Sequence, residues 1–588
     1  KGNQKMKVTL IGINAKYIHT NLAVRYLKAF ANDLDYECEI MEFSINDQIE
    51  RILEEILKSK SDIVAFSCYI WNIEYVKAVS SLIKLVNSNI EVLYGGPEVS
   101  FDCEDFLHKN VGDYVIEGEG EETYKEFIEW KISLSKKSLI NAKAINEKKI
   151  DFKNILGLYF KRLDKIYYNG QRPLMDINKV IFPYYEEEFT NKIVYYEASR
   201  GCPFSCKYCL SSSTHGVRFL NVERVKKELK FLADKKVRLV KFVDRTFNCN
   251  PEYSIEIWRF LINLDCETMF HFEISADLIN QKEIDVLADT PKGRFQFEVG
   301  VQTTNPIVLN NISRFVTFDE ISDKVTKVKE IGTINQHLDL IAGLPGENYE
   351  SFRNSFNDVY GIHVEVIQLG FLKLLKGSEM INESELWGMV YAPYPPFEIL
   401  KTRDISYEEL VKLKRVEKMV DKYHNSQKFD NILKYFVEKF NTPFDFFYEL
   451  GLFFYEKGYL GIKISSVDYY KIFIEFNEEK LKADNFVLKE IVKFDYLQYN
   501  KKKWIPDFLT RDMDKVAERE IREKLVKSNV IDDVFGKEFL SSKKNLSNIH
   551  VEKYMIDILE YVDNNTVCIE NHYLAYDIND EEHIKDIT

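Results

Sequence analysis

The sequence predicts an α/β multidomain chain, with a doubly wound, Rossmann-like or flavodoxin-like sheet domain first, a partial (βα)6 TIM barrel second and an α-rich C-terminal domain last. Three observations carry this reading. From Met6 to about Trp130, short apolar runs alternate with amphipathic stretches in five βα units, the pattern of a mainly parallel sheet covered by helices. Across 191–395, six strand-like runs alternate with helix-like segments, too few for a closed eightfold barrel but enough for a partial one. From 396 to 588 the periodicity turns mostly helical, with a strand-like ending near TVCIENHYLAYDI.

Composition sets the limits. At 588 residues the chain needs several cores. A net charge of -14, without a long run of either sign, argues against a nonspecific grip on nucleic acid or an anionic membrane. With 45% hydrophobic residues, 24 Gly and 13 Pro, the composition is that of a globular protein rather than a disordered one. No apolar run approaches the ~20 residues that span a bilayer, and the N-terminal stretch lacks a secretory pattern. The expected setting is therefore cytosolic, with residues ahead of Met6 read as an expression remnant. Nine Cys in so long a chain point to metal or catalytic use rather than a disulfide framework.

The first domain, 6–130, reads KVTLIGI, CEIMEF, DIVAFSC, IEVLYGG and DYVIEG as strands. Sheets of this kind bind ligands at the carboxyl ends of their strands. The loops at those ends run from Asn14 to Thr20, from Ser67 to Trp71, from Gly95 to Glu98 and from Glu117 to Glu121. Residues 131–190 read as a linker carrying a hairpin with Asn169-Gly170 as its turn. The barrel, 191–395, reads IVYYEAS, VRLVKFV, MFHFEIS, RFQFEVGV, INQHLDLIAG and VEVIQLGFL as strands. In the third domain, 396–588, the aromatic stripe FDFFYELGLFFYEKGYLG is expected to be core.

The sharpest feature is SRGCPFSCKYC, which puts Cys202, Cys206 and Cys209 in the loop after the first barrel strand. Cys206 and Cys209 have zinc-like spacing, but a closed zinc site needs a fourth ligand, and the nearby His215 has no partner at finger spacing. The alternative is a 4Fe-4S cluster. Three thiolates would leave one iron open to a small molecule, by the logic that separates open from closed metal sites. Cys249, Cys266 and Cys568 are scattered and read as structural.

The Cys-x3-Cys-x2-Cys loop, with Tyr208 just before its last Cys and a partial barrel around it, resembles the radical S-adenosylmethionine (SAM) enzymes. The resemblance implies that Cys202, Cys206 and Cys209 hold a 4Fe-4S cluster, that SAM binds the open iron, and that an external flavodoxin- or ferredoxin-type donor supplies the electron that splits it. VDRTFN stands where the family meets the SAM amino group, without the usual Gly-Gly-Glu form, which implies a contact from Asp244. FEISAD implies ribose contacts from Glu273 and Ser275, while FEVGVQT and DLIAGLPGE imply SAM contacts from Gln302 and Gly343, together with Tyr208 of the loop.

The N-terminal domain, with YGGPE and IEGEGEE, resembles the cobalamin-binding domain ahead of the barrel in one subgroup, the class B methylases. Its strand-end residues Asn14, Tyr17, Thr20, Ser67, Tyr69, Trp71, Gly95, Gly96, Glu98, Glu117, Gly118 and Gly120 are the candidate corrinoid contacts. Adjacent glycines let backbone approach a flat ligand. His19 is not expected to ligate cobalt, because Tyr17 and Leu22 stand where an Asp-x-His-x-x-Gly motif needs Asp and Gly. No Gly-x-Gly-x-x-Gly opens a helix after the first strand, which argues against NAD.

The resemblance implies a cobalamin-dependent radical SAM enzyme that methylates an unactivated carbon of a small-molecule or peptide substrate, using methylcobalamin and a 5'-deoxyadenosyl radical. Non-methylating chemistry on the same cofactors (cyclisation, ring contraction or redox) is one alternative, and a corrinoid or metal carrier without turnover is another. Anaerobic operation follows from the cluster, and neither membrane nor nucleic acid is an expected partner.

Overall fold

The computed structural model describes residues 5–139, 154–162, 165–189, 191–214, 216–500, 505–511, 513–527, 549–577 and 584–588. They form two compact units, Lys1–Phe352 with Gly370–Tyr407, and Arg353–Leu369 with Glu408–Thr588.

The first sheet contains β1 (Lys7–Asn14), β2 (Glu37–Ser44), β3 (Ile63–Ser67), β4 (Glu91–Gly95) and β5 (Tyr114–Ile116), parallel neighbours in the order β2-β1-β3-β4-β5. Helices α1 (Leu22–Phe30), α2 (Ile49–Ser59), α3 (Ile73–Val86), α4 (Cys103–Lys109) and α5 (Glu121–Leu139) connect or follow them. Side chains alternate along β1: Val8 and Leu10 pack with Val24, Tyr124 and Phe127 of α1 and α5, whereas Ile11 and Ile13 pack with Ile52 and Val76 of α2 and α3. This two-sided burial explains the near-continuous apolar strands. The strand order reverses between β1 and β3, which opens the crevice where such sheets bind ligands.

Two further strands, β6 (Leu158–Arg162) and β7 (Lys165–Tyr168), add antiparallel to the β5 edge. The segment read as a linker hairpin thus completes the first sheet. Its two strands pair Arg162 with Lys165, so Asn169-Gly170 lies beyond the hairpin rather than at its turn. Asn169 donates instead to the Ile155 carbonyl at 3.1 Å.

The second sheet starts with β8 (Ile193–Tyr196). A short antiparallel ribbon, β9 (Ser199–Arg200) with β10 (Arg218–Phe219), follows it. Then come α6 (Val222–Asp234), β11 (Leu239–Phe242), α7 (Pro251–Ile262), β12 (Met269–Ile274), α8 (Gln281–Leu287), β13 (Phe295–Gln302), α9 (Pro306–Asn311), α10 (Phe318–Ile331), β14 (Asn335–Ala342), α11 (Tyr349–Tyr360) and β15 (Val366–Phe371). The sheet order is β8-β11-β12-β13-β14-β15, the six-strand partial barrel that the alternation predicts. Its outer wall is aromatic, with Phe242 and Phe272 ring centroids 4.5 Å apart and Trp258 fully buried beside them. The other strand face carries Lys241, His271, Glu273, Glu298, His337 and Asp339. After β15 come α12 (Glu379–Asn382), β16 (Val390–Tyr391) and β17 (Ile399–Lys401).

The second unit is built on α13 (Tyr407–Met419), α14 (Asp430–Val437), α15 (Pro443–Glu456), α16 (Asp468–Glu479), α17 (Phe486–Tyr499) and α18 (Lys515–Lys527). A three-stranded antiparallel sheet, β18 (Ile549–Tyr554), β19 (His572–Asp577) and β20 (Ile584–Asp586), joins them, with α19 (Ile558–Asn564) between β18 and β19. The aromatic stripe forms α15 and buries Phe444, Phe446, Phe447, Phe453 and Phe454. It is core.

Candidate functional site

The cysteines lie in one loop, 201–217, hung from the β9/β10 ribbon, in which Arg200 pairs with Arg218. At its neck Gly201 has φ +104°, and a Cβ there would meet the Gly216 carbonyl oxygen at 2.0 Å. Glycine is required at this point. Asp244, at the end of β11, closes the entry: one carboxylate oxygen accepts from the Ala198 N–H at 2.9 Å and the other from the Ser199 hydroxyl at 2.6 Å. The far side of the loop is pinned by Lys207, whose N–H donates to the Ile312 carbonyl at 3.1 Å and whose carbonyl accepts from Met380 at 2.9 Å. Cys206 is buried, while Cys202 and Cys209 are half-buried. Burial pushes the Cys206 thiol up, and Arg314 pulls it down.

The barrel rim around this loop holds polar atoms without protein partners. Gln302 follows a bulge in the β13–β14 pairing, has φ +72° and folds its amide over Gly300. Its Oε1 is buried and unpartnered, as are Arg314 Nε and Asp339 Oδ1. Arg314 also donates to the Gly300 carbonyl, and Asp339 pairs with Gly300 in register. Gln302 and Arg314 thus both approach Gly300, and Asp339 is its neighbour on the next strand. Buried polar atoms cost about 1–3 kcal/mol when unpaired, which a ligand's donors and acceptors would offset. Burial, with Glu298 and Glu273 nearby, raises the Asp339 carboxyl well above its usual range. Burial also raises Glu273, which Arg245 at 4.0 Å partly offsets. Below this layer, Glu298 accepts from His271 at 2.9 Å and pairs with Lys241 at 3.2 Å, closing a satisfied polar network.

On the first domain's rim most predicted polar side chains are spent internally. Asn14 donates to the His19 carbonyl and to Glu42, both at 3.0 Å. Thr20 donates to the Ile193 carbonyl at 3.0 Å, and Ser67 accepts from Asn21 at 2.8 Å. What stays open is aromatic and glycine surface. Tyr69 and Trp71 stack at 4.4 Å, with Trp71 43% and Tyr17 75% exposed. A Cβ on Gly118 would meet nothing within 4 Å, and on Gly95 only Ile116 at 3.9 Å. Glu98 is buried with its Oε1 in an ion pair with Lys376 at 3.6 Å, and burial raises its carboxyl. The Tyr69 hydroxyl is pushed up to about 12 by burial and by Glu197 of the barrel rim, with Arg245 opposing.

These placements redirect several expectations. Asp244 accepts one hydrogen bond on each carboxylate oxygen and so ties down the loop entry. Ser275 spends its hydroxyl on Asp277 at 2.5 Å. Cβ positions at Gly96 and Gly343 face Cys68 O at 2.6 Å and Ile399 at 2.7 Å, which leaves no room for a side chain at either. Gly120 faces Leu27 at 3.3 Å, and Glu117 accepts from Tyr168 at 2.6 Å. His19 hydrogen-bonds Tyr195 through Nδ1 at 2.7 Å, consistent with a packing role. His215 lies outside the described residues. Among the described residues, no group of three or more His, Cys, Asp or Glu side chains is arranged to hold a metal ion. Arg314 was invisible to strand-end reasoning because it follows α9, twelve positions after Gln302; only the buried Nε of its half-buried side chain reveals it.

Comparison with known proteins gives three matches along the chain. The family model described as B12 binding domain matches residues 8–128, the Radical SAM superfamily matches 196–359, and a protein family of unknown function, DUF4080, matches 385–574. The chain is 25% identical to the uncharacterized methyltransferase PH0819 of Pyrococcus horikoshii, over 67% of this chain and 86% of that protein. It is 24% identical to the cobalamin-dependent radical SAM methyltransferase TokK of Streptomyces tokunonensis, over 62% of this chain but only 55% of that protein. The structure of OxsB, a cobalamin-dependent SAM radical enzyme with aqua-cobalamin and SAM bound, aligns with a TM-score of 0.55 at 15% identity, over 93% of this chain and 78% of that one. The methyltransferase TsrM of Kitasatospora setae aligns at 0.54 and 15%, over 67% and 79%. These two likenesses show a shared fold.

Proposed function

We propose that this protein, a radical SAM chain with a B12 binding domain ahead of its barrel, is a cobalamin-dependent enzyme that methylates an unactivated carbon. The observation that supports it most is the presence in one chain of two unlike rims: three cysteines on a barrel rim with unpartnered polar atoms, and a first-domain rim of stacked aromatics and open glycine. When bound, a 4Fe-4S cluster with SAM supplies a 5'-deoxyadenosyl radical, and cobalamin carries the methyl group.

The chain's residues have distinct tasks in this reading. Cys202, Cys206 and Cys209 hold the cluster, and Asp244 fixes the entry of their loop. Gln302, Arg314, Glu273 and Asp339 bind and orient SAM, since they carry the unspent or strained polar groups of the barrel rim. Tyr17, Tyr69, Trp71, Gly95 and Gly118 form the corrinoid surface, with Glu98 at its edge. All nine cysteines are free thiols, which supports a reducing, cytoplasmic and anaerobic setting with an external electron donor. No described helix is long and apolar enough to cross a membrane.

The test is anaerobic incubation of reduced, cobalamin-loaded protein with methyl-deuterated SAM and a metabolite extract from a strain lacking the gene. S-adenosylhomocysteine, 5'-deoxyadenosine and a product carrying the labelled methyl are expected together. If 5'-deoxyadenosine accumulates with its true substrate but neither S-adenosylhomocysteine nor a methylated product forms, methylation is excluded.

A further inference from the structure

Resting on that reading, we propose that Arg200 and Arg218 are positioning residues, clasping the neck of the cysteine loop to Glu119 and Glu121 of the corrinoid rim and so fixing the spacing between cluster and corrinoid. Arg200 immediately precedes Gly201-Cys202, and its guanidinium lies 2.5 Å from Glu121, 2.9 Å from Glu197 and 3.8 Å from Glu119. Arg218, its partner in the ribbon, lies 2.5 Å from Glu119 and donates to the Met175 carbonyl at 2.7 Å. Met175 in turn donates its N–H to Glu119 at 3.2 Å. The Tyr26 ring of α1 stands 5.7 Å from the Arg200 guanidinium.

The groups are sheltered: the Arg200 side chain is 12% exposed and that of Glu121 6%. In such surroundings removal of one partner leaves an uncompensated charge. Glu121 is the first residue of α5, where the helix dipole favours a carboxylate. Gly118, the open corrinoid-facing position, is three residues before it in the same turn. A rigid path of few residues thus joins the corrinoid rim to Cys202. The first unit does not need the clasp to stay together. Arg25 bonds Glu187 at 2.9 Å, and Lys376 bonds Asp102 at 2.9 Å, at separate points of the same boundary. The acidic IEGEGEE motif, read from sequence as ligand-facing, spends Glu119 and Glu121 on this task.

The test compares wild type with Glu121→Gln, which keeps shape, and with Arg200→Met and Arg200→Lys, all as full chains. Hydrogen exchange of residues 199–219 in the cofactor-free protein should speed up about tenfold in the first two variants and recover in Arg200→Lys. In cobalamin-loaded, cluster-reconstituted protein, S-adenosylhomocysteine formed per 5'-deoxyadenosine should fall about tenfold or more, since a misplacement of ~1 Å costs on the order of 100-fold. Iron, sulfide and cobalamin contents should match wild type. The proposal is overturned if exchange and product ratio are unchanged in both Glu121→Gln and Arg200→Met. It is equally overturned if both variants lose iron while the remaining holoenzyme keeps the wild-type ratio, because the network would then only support the fold. A wild type that neither binds cobalamin nor cleaves SAM would sink the functional reading instead, and the exchange arm, which needs no cofactor, would still decide the clasp.

Discussion

The two rims of the first unit differ in what they leave open. On the barrel rim, Gln302, Arg314 and Asp339 leave buried polar atoms unpaired around Gly300. On the rim of the first sheet, Asn14, Thr20 and Ser67 spend their polar atoms on protein, leaving stacked Tyr69 and Trp71 and the open Gly118. A compact, charged amino-acid sulfonium is recognised by directed hydrogen bonds, whereas a broad macrocycle is held by area and close backbone approach. The difference teaches that strand-end polar residues are not interchangeable evidence of ligand contact. What counts is whether their hydrogen bonds are already made.

If the rims act as separate holders, each should fail alone. The largest effect is expected from Cys202→Ala with Cys206→Ala and Cys209→Ala: iron and sulfide are lost and 5'-deoxyadenosine formation falls by more than the ~100-fold typical of outer-shell changes, while hydroxocobalamin still binds, as absorbance would show. Loss of both cofactors would break the comparison. Next come Gln302→Ala and Arg314→Met, expected to lower SAM cleavage about 10- to 100-fold with iron content retained. Equal cleavage to wild type would mean their orphaned atoms serve nothing.

Two smaller effects sharpen it. Trp71→Ala removes half of an aromatic stack worth about 0.5–1.5 kcal/mol, so hydroxocobalamin affinity should drop roughly 3- to 10-fold, with SAM cleavage unchanged in titrations of the two ligands. Asp244, raised to about 7 by burial, gives the smallest and most specific signal. Because the folded protein holds its proton more tightly than the unfolded chain does, its contribution to stability is complete below about pH 4 and is lost as pH rises through 7. Asp244→Asn should therefore gain in Tm relative to wild type between pH 5 and pH 8; a constant difference would show that Asp244 does not titrate there.

Much of the architecture was legible because buried parallel strands and amphipathic helices write their periods directly into the chain. β1 to β5 and the six barrel strands fall where alternation placed them. The hairpin turn was misplaced because Asn169-Gly170 is a strong local turn signal, and local chemistry cannot show that β6 and β7 pair across residues 163–164 to extend a sheet. The cysteine loop was legible from spacing alone. The roles of Asp244, Glu119 and Glu121 were not, because a carboxylate's partner is set by tertiary contact between segments up to about a hundred positions apart in the chain. Arg314 was missed for the same reason, as its only sequence signal is an arginine after an amphipathic turn.

The central claim is tested most directly by analysing anaerobically purified, cobalamin-loaded protein for iron, sulfide and zinc, and then adding reductant and SAM. About four iron and four sulfide per chain, with 5'-deoxyadenosine released on reduction, is the predicted result. A tightly held zinc ion, no inorganic sulfide and intact SAM would contradict it.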